Sequence, residues 1–347
     1  MKDRARTNAR DSRIDKFDTN RRIQLAADAL RQGELVVFPT ETVYGVGANA
    51  LDEDAVRRIF EAKGRPPDNP LIVHLHDRAQ LASVVATVPP LATALFDAFS
   101  PGPLTLVLPV ARDVPKLVTA DLETVAVRFP RHPVARQLLQ ACRLPVAAPS
   151  ANRSGEPSPT TVGMSRESLG SRVSIYVDGG PCEVGLESTV AACDNRRVTV
   201  LRPGAVSVEQ IRQVLPEVEV VLLGGAPSAT PPSPGLKHRH YQPSIPVYTW
   251  HGETGSKQDV AELLVGGDAA VICERDGALE GLMESAPRRA AHIRRYADLE
   301  TYAQSLYLWF YELDRGGASA IIAEVPSNAG IGTAICDRLS RAATRSL

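Results

Sequence analysis

Short apolar runs rich in β-branched residues alternate with amphipathic helical patterns over residues 21–223. Strand-like runs lie at 34–39, 70–76, 104–109, 124–130, 144–149, 173–180, 188–193 and 197–204. Helical patterns lie between them at 22–33, 52–64, 132–142 and 207–215. Because each helix must bury its apolar face against a sheet, this alternation predicts a single α/β domain over residues 21–223.

The composition changes at Gly224, where a segment rich in Gly, Pro and Ser begins. We expect residues 224–245 to link two domains, and the polar cluster at 237–241 favours an additional role as a lid over a site. Strand and helix patterns resume after Pro246, with a final helix from about Ala329. Residues 246–347 are therefore predicted to form a smaller, Rossmann-like parallel α/β domain, although the phosphate-binding G-x-G-x-x-G pattern is absent.

The net charge, the hydropathy and the cysteine content argue against several classes of protein. The net charge of −1 argues against nucleic acid as the main ligand, although residues 1–20 are basic and are predicted to form a flexible tail. No apolar run approaches the length that spans a bilayer. The five cysteines form no Cys-x-x-Cys pair, so a disulfide framework or a thiolate zinc site is not expected. A cytoplasmic location fits best.

Four polar segments at the ends of predicted strands carry the candidate chemistry: residues 38–47, 63–76, 126–135 and 148–161. They and the 197–204 run supply four cations, namely Lys63, Arg65, Arg128 and Arg202. Neutral hydrogen-bond donors are Ser150, Asn152, Ser158, Thr160 and Thr161. Such a mixture suits a triphosphate, while Thr40, Thr42, His74 and Ser188 suit a small polar ligand. The residues therefore indicate a nucleotide beside a small zwitterion.

Less specific interpretations stay open at this point. Lys63 and Arg65 are equally compatible with surface charges on a proline-rich loop. A histidine on a strand, such as His74, is more often a core residue than a ligand. His74 and His76 share a strand face and fit two ligands of a metal, but no third nitrogen or thiolate stands at ligand spacing.

The pairing of Lys63-Gly64-Arg65 with Ser150-Ala151-Asn152 resembles the YrdC-like domain of L-threonylcarbamoyladenylate synthases. The segments "PTETVYG", "NPLIVH", "PGPLTLVL", "TVAVRFP", "PSPT" and "LRPG" resemble the same family. In the second half, "SPGLKHRHYQP" and "GIGTAICDRLSRAA" resemble the interdomain loop and last helix of its two-domain form. The resemblance implies a YrdC-like, twisted mixed-sheet catalytic domain at 21–223.

The resemblance also implies an activity. The chain would be a nucleotidyltransferase that joins L-threonine, bicarbonate or CO2 and ATP into L-threonylcarbamoyl-AMP and pyrophosphate. Mg²⁺ would accompany ATP, and no organic cofactor is implied. The product would pass to a separate transferase that makes N6-threonylcarbamoyladenosine in tRNA, with tRNA contact not a primary property of this chain.

By position in the family motifs, the resemblance assigns three sets of residues. The catalytic set is Lys63, Arg65, Ser150 and Asn152. The ATP set is Lys63, Arg65, Asn69, Thr124, Ala148, Ser150, Ser158, Arg202 and Tyr241. The threonine set is Thr42, His74, Arg128 and Ser188, and metal ligands are not assigned.

Two departures and three rival interpretations accompany the resemblance. Val46 stands where the family usually has leucine, and Asp337 precedes Arg338 where asparagine is expected. The first rival is an RNA-binding module that uses a basic cleft. The second is a carbamoyl-transfer maturation protein, which would carry zinc-finger-like parts that this chain lacks. In the third, the C-terminal domain only supports the structure of the first domain and has no part in binding or catalysis.

Overall fold

The computed structural model describes residues 19–223, 241–266, 268–275, 277, 279 and 292–347. Most of the predicted tail at 1–20 and of the predicted linker and lid at 224–245 lies outside the described residues. The described chain contains one sheet of ten strands and a second sheet of five strands. The last strand of the first sheet ends at Leu222 and the first strand of the second begins at Val247. The domain bounds expected from the sequence stay a prediction.

The first unit is built on the ten-stranded sheet. Its strands are β1 (Val36–Phe38), β2 (Gly45–Asn49), β3 (Ile72–His74), β4 (Leu104–Pro109), β5 (Thr124–Arg128), β6 (Val146–Ala147), β7 (Ile175–Tyr176), β8 (Thr189–Cys193), β9 (Arg197–Arg202) and β10 (Glu219–Leu222). Its helices are α1 (19–31), α2 (Glu53–Lys63), α3 (Pro90–Phe99), α4 (Lys116–Thr119), α5 (Pro133–Cys142), α6 (Val162–Leu169) and α7 (Val208–Val214), with 3₁₀ helices at Arg78–Ser83 and Gly170–Arg172.

The strands of this sheet follow the order β10-β9-β8-β4-β5-β3-β6-β2-β1-β7. Four neighbouring pairs are parallel and five are antiparallel, so the predicted mixed sheet is confirmed. Strand β3 is shorter than its apolar run, but it alternates as expected: Leu71, Val73 and Leu75 enter the main core. Ile72 and His74 lie on the opposite face, which places His74 beside Arg128 of β5.

Helix α2 illustrates how the local sequence positions cations. Asp52 caps its N-terminus by accepting hydrogen bonds from Asp54 N and Ala55 N. Gly64 ends it in the left-handed conformation, with φ of 59°. The helix therefore stops at Lys63, and the chain turns sharply enough for Arg65 to leave the helix beside it.

The second unit is a sheet of five parallel strands in the order β13-β12-β14-β11-β15. The strands are β11 (Val247–Trp250), β12 (Ala269–Glu274), β13 (Ile293–Tyr296), β14 (Ala320–Glu324) and β15 (Arg345–Ser346). The helices are α8 (Lys257–Gly266), α9 (Leu299–Arg315) and α10 (Gly332–Ala342), with a 3₁₀ helix at Gly252–Thr254. The predicted Rossmann-like parallel domain is confirmed. The last helix begins at Gly332 rather than Ala329, because Gly330 turns the chain with φ of 56°.

Each unit has its own core. Helix α9 packs Leu306 and Phe310 with Ile321 of β14 and Ile335 of α10, all fully buried. Among the described residues, no helix combines the length and the apolar character needed to cross a bilayer.

Gly204 is the last residue of the "LRPG" segment. It lies against the backbone of residues 187–189, where β8 begins. A Cβ atom there would come within 2.3 Å of Thr189 N and 2.6 Å of Ser188 C. Both are backbone atoms of the sheet, so they have little freedom to move. The sequence therefore needs glycine at this position to let β9 and β8 approach.

We expect Gly204→Ala to lower the free energy of unfolding by about 1–3 kcal/mol through overpacking. The matched control is Gly163→Ala in exposed α6, where a Cβ would meet only Thr161 Oγ1 at 3.8 Å. The control should be neutral or slightly stabilising, because alanine favours helix over glycine. Urea unfolding of both variants measures the difference, and equal midpoints would contradict this account of Gly204.

Candidate active site

A cavity of about 770 Å³ opens where β3, β5 and β8 meet the loops after β1 and β6. Twelve of the residues assigned from the sequence line it: Thr42, Lys63, Arg65, His74, Arg128, Ala148, Ser150, Asn152, Ser158, Ser188, Arg202 and Tyr241. Thr40 lines it as well. Residues from all four polar segments are thus brought to a single site, together with Ser188, Arg202 and Tyr241.

Lys63 connects the end of α2 by hydrogen bonds to the loop that carries Ser150 and Asn152. Its Nζ donates to the backbone oxygens of Ser150 and Asn152, at 2.5 Å each. Burial, together with the neighbouring Arg65 charge, moves the pKa of Lys63 well below its ordinary value. Two motifs that stand 87 residues apart are therefore joined by one ammonium group.

Asn152 does not present its amide N–H groups to the cavity. Its Nδ2 donates to the oxygens of Arg153 and Glu156, at 2.9 and 2.8 Å. Both N–H bonds of the amide are used in this way. The side chain expected to direct hydrogen bonds at a ligand instead shapes the 153–156 turn, and only its oxygen remains near Lys63.

Arg65 keeps part of its guanidinium for a ligand. Nη2 donates to Asn69 O at 2.8 Å and Pro70 O at 3.2 Å, but the buried Nε has no hydrogen-bond partner. Burial lowers the pKa of Arg65 to about 10, so it stays charged at neutral pH. The side-chain amide of Asn69 is also buried without a partner, although Asn69 lies outside the cavity lining. Buried polar groups of this kind are rare in folded proteins and indicate a missing partner.

Arg128 stands at the end of β5, opposite a carboxylate that sequence reasoning left without a role. Its Nη2 lies 2.8 Å from Glu41 Oε1, its Nη1 donates to Thr42 Oγ1 at 2.8 Å, and its Nε donates to Gly102 O. The ion pair is not an aligned hydrogen bond, since neither Nη2 nor Oε1 has a partner by geometry. A guanidinium has five N–H bonds, so Arg128 retains N–H groups for a second anion.

Burial raises the pKa of Glu41, but Arg128 and the backbone N–H of Arg131 outweigh it and hold the pKa below the ordinary value. Glu41 is therefore ionised at neutral pH and compensates Arg128. The only sequence signal for this pairing was that Glu41 lies between two cavity threonines.

A chain of hydroxyl groups surrounds this end of the cavity. Thr40 Oγ1 lies 2.8 Å from Thr42 Oγ1, and Thr105 Oγ1 lies 2.7 Å from Ser188 Oγ. Arg202 donates from Nη2 to Ser188 O at 3.0 Å. Thr105 was missed from the sequence because it lies in the middle of an apolar strand.

His74 is neutral at physiological pH, since burial and the neighbouring Arg128 lower its pKa to about 3. Its Nδ1 lies 3.3 Å from Ile72 O, and its ring meets Phe38 edge-on at 6.1 Å. Within the described part of the chain, no group of three or more His, Cys, Asp and Glu residues could hold a metal ion. His74 therefore offers the cavity an uncharged ring.

Both units build the other end of the cavity. Ser158 Oγ donates to Glu187 Oε1 at 2.5 Å, and Glu187 Oε2 accepts from Tyr307 of α9 at 3.0 Å and Arg338 of α10 at 2.8 Å. The hydroxyl proton of Ser158 points to Glu187. Ser158 can therefore accept a hydrogen bond from a ligand in the cavity, but it does not donate one as the sequence led us to expect. Tyr241, the first described residue of the predicted linker, is buried there and stacks on Tyr307 at 5.3 Å.

Thr124 is a further assigned residue that lies outside this group. It begins β5, four residues before Arg128, which corresponds to about 13 Å along a strand. The two side chains share a face of β5 because side chains alternate. Thr124 does not line the cavity.

The Glu41–Arg128 pair generates a pH prediction. A carboxyl whose pKa is depressed by folding stabilises the protein above its unfolded pKa, and the effect is lost as pH falls through the folded pKa. Glu41→Gln leaves Arg128 buried without its counter-charge and should cost about 3–5 kcal/mol near neutral pH. The variant should then lose less stability on acidification than the parent chain does.

Urea unfolding at a series of pH values measures both effects. Glu123→Gln, an exposed carboxylate just before β5, is the matched control and should follow the parent curve. Parallel curves for Glu41→Gln and the parent would show that Glu41 is not the titrating partner.

Comparisons with known proteins agree with this geometry. A family model described as "Telomere recombination" matches residues 28–204, and one described as "Threonylcarbamoyl-AMP synthase, C-terminal domain" matches residues 206–344. The threonylcarbamoyl-AMP synthase of Bacillus subtilis is 43% identical over 335 residues, covering 95% of this chain and 95% of its own. That of Pyrococcus abyssi is 41% identical over 323 residues, covering 92% of this chain and 94% of its own.

A crystal structure of Pyrococcus abyssi Sua5 complexed with L-threonine superimposes on the chain with a TM-score of 0.84 and 39% identity. The match covers 94% of this chain and 96% of the other. The resemblance seen in the sequence is thus confirmed, and the chain belongs to the threonylcarbamoyl-AMP synthase family.

Proposed function

We propose that this cavity joins L-threonine, bicarbonate and ATP into L-threonylcarbamoyl-AMP and releases pyrophosphate. The observation that carries the proposal is the presence of two different binding chemistries in one cavity of about 770 Å³. One end holds Arg128, Glu41 and a set of hydroxyl groups, and the other holds Lys63, Arg65 and Arg202.

The hydroxyl-rich end suits threonine. Arg128 retains N–H groups on Nη1 and Nη2 for the amino-acid carboxylate, a geometry in which guanidinium and carboxylate match two to two. Thr42, His74 and Ser188 surround that position with neutral polar atoms that suit an ammonium and a hydroxyl. Glu41 keeps Arg128 in place between substrates, because a buried guanidinium without a counter-charge is unfavourable.

The cationic end suits the polyphosphate of ATP. Arg65 Nε and the Arg202 guanidinium supply positive charge to phosphate oxygens in a site that excludes much of the solvent. Mg²⁺ would reduce the phosphate charge further, and Glu156 retains one oxygen for such an ion, since its Oε2 accepts from Ser168. The described residues hold no cage of carboxylates, which fits an ion that arrives on ATP.

The reaction needs positioning more than covalent help from the protein. Bicarbonate takes up a proton and loses water to give CO2. The threonine amine then forms a C–N bond to CO2 and releases a proton to solvent, which gives a carbamate. A carbamate oxygen then forms a bond to the α-phosphorus, the bond from that phosphorus to the bridging oxygen breaks, and pyrophosphate leaves with the electron pair. Arg65 and Arg202 stabilise the charge that develops on the phosphates. We propose no covalent enzyme intermediate.

Protection from water is the second requirement, because a carbamate and a mixed anhydride both decay in water. Tyr241 is buried over the cationic end, between Tyr307 and Arg202. We infer that it limits solvent access at this end. The product would then pass to a separate transferase that modifies tRNA, and the alternative of an RNA-binding module is not favoured by the family relationship.

The test is direct. Incubation of the purified chain with labelled ATP, L-threonine and bicarbonate should yield an AMP adduct that contains threonine, together with pyrophosphate. Omission of threonine or bicarbonate should abolish the adduct. Retention of ATP cleavage without an adduct, or RNA binding without turnover, would contradict the proposal.

Arg65→Ala should reduce pyrophosphate release by at least about a hundredfold while the fold is retained, since a charged contact to phosphate is lost from a partly buried site. The matched control is Arg57→Ala on the exposed face of the same helix region, whose side chain pairs only at the surface. Steady-state rates and a circular dichroism spectrum are the measurements. Normal turnover by Arg65→Ala would remove Arg65 from the site.

Arg128→Lys should weaken threonine binding by about 2–4 kcal/mol while ATP binding changes little. Lysine preserves the charge opposite Glu41, so the fold is expected to persist, but it cannot form the planar fork. Calorimetric titration with threonine and with a non-hydrolysable ATP analogue separates the two substrates. A defect confined to the nucleotide would show that Arg128 belongs to the other end of the cavity.

A further inference from the structure

Glu187 is a carboxylate in the part of the cavity that the proposed function gives to a polyphosphate. It is 7% exposed and lines the cavity together with Ser158 and Arg202. Burial raises its pKa, but Arg338 and Arg202 outweigh that effect and hold the pKa below its ordinary value. Glu187 is thus ionised at neutral pH, and a bare negative charge at this place would oppose ATP.

The second unit supplies the compensation. Arg338 of α10 is fully buried, and its Nε donates to Glu187 Oε2 at 2.8 Å. Its Nη2 donates to Pro203 O at 3.1 Å, and Nη1 lies 2.6 Å from Asp337 Oδ2. Tyr307 of α9 donates to the same Glu187 oxygen. Two helices of one unit therefore converge on one carboxylate of the other.

The same two side chains also hold Tyr241. The Arg338 guanidinium lies 5.5 Å from the centre of the Tyr241 ring, and Tyr307 stacks on it with an angle of 30° between ring planes. The titratable groups that face Glu187 come from several elements: Arg338, Tyr307, Arg202, Tyr241 and Lys63. Glu156 adds a second carboxylate to the lining.

We propose that Arg338 is a positioning residue for the nucleotide: it neutralises and orients Glu187 from the second unit, so that the cavity accepts the negative charge of ATP. Tyr307 supports the same carboxylate. The second unit is then part of the site rather than a brace beside it. This inference rests on the proposed function, because it assigns the cationic end of the cavity to ATP.

The test is a charge-rescue experiment on the full chain. Arg338→Met removes the ion pair of Glu187 and leaves Arg202 as its remaining nearby cation, so the KM for ATP should rise by at least about tenfold. The KM for threonine should change less than about twofold, since Arg128 and Glu41 are untouched. The double variant Glu187→Gln with Arg338→Met removes both charges and should return the KM for ATP to within about threefold of the parent value.

The pH dependence of the KM for ATP is a second measurement, and it should not change if Arg338 only supports the fold. Without Arg338, Glu187 loses the first of the two cations that oppose the effect of burial, so its pKa should rise. In Arg338→Met, the KM for ATP should therefore fall as the pH is lowered and Glu187 takes up a proton, more steeply than in the parent chain. The parent chain and the double variant, measured at the same pH values, correct for the titration of ATP itself.

Two further variants control for folding and for contact between the units. Arg315→Met removes a surface ion pair with Glu167 that also joins the units, and it should leave the KM for ATP unchanged. Tyr307→Phe keeps the ring that stacks on Tyr241 but removes the hydroxyl, and it should raise the KM for ATP by about threefold. If Arg338→Met does not fold, Tyr307→Phe decides the question.

The outcomes separate the two proposals. If the parent chain forms no threonylcarbamoyl-AMP, the proposed function fails. If it does, an unchanged KM for ATP in Arg338→Met, or in Tyr307→Phe where the former does not fold, overturns the role of Arg338. A double variant as impaired as Arg338→Met would also overturn it, because a packing defect is not rescued by removing a charge.

Discussion

Ionised side chains taken out of water dominate the structure of this site. Lys63, Arg128, Arg202 and Arg338 are all at most 4% exposed, and each would be unfavourable in the interior without compensation. The chain compensates them in two ways. Arg128 and Arg338 face the carboxylates of Glu41 and Glu187, whereas Lys63 faces backbone oxygens.

Whether a buried cation faces a carboxylate or a neutral oxygen affects how strongly it attracts an anionic ligand. A cation that is matched by a carboxylate attracts little extra charge from a distance, while one that faces only neutral oxygens keeps its field. The two buried ion pairs therefore set the shape of the cavity. Because buried pairs contribute little net stability but are costly to break, they fix geometry more than they stabilise the fold.

The parts of this arrangement that follow sequence-local rules were predictable. Helix α2 has an aspartate cap and a glycine stop, and strand β3 alternates, so the positions of Lys63 and His74 could be expected. The grouping of the four polar segments followed from the rule that ligands bind at strand ends in α/β sheets. The family resemblance supplied the assignment of these residues to ATP and threonine.

The partners of the cations were not predictable in the same way. Glu41 and Arg128 are 87 positions apart, and Glu187 and Arg338 are 151 positions apart in different units. Carboxylates occur throughout the sequence, and periodicity carries no information about which of them faces a buried cation. Thr105 was missed for a related reason, since its strand reads as an apolar run. Asn152 shows the reverse case, because the residue was identified but its amide turns inward to Glu156.

Charge compensation also accounts for Asp337, which stands where asparagine was expected. Asp337 lies between Arg338 and Arg341 and contacts both, at 2.6 and 3.0 Å. Arg338 already faces Glu187, so a second carboxylate next to it leaves the cluster close to neutral only because Arg341 is present. An aspartate at this position is thus tied to an arginine four residues later on the same face of α10. Helix α10 therefore balances its own charges, so that Arg338 stays paired with Glu187 although Asp337 lies next to it.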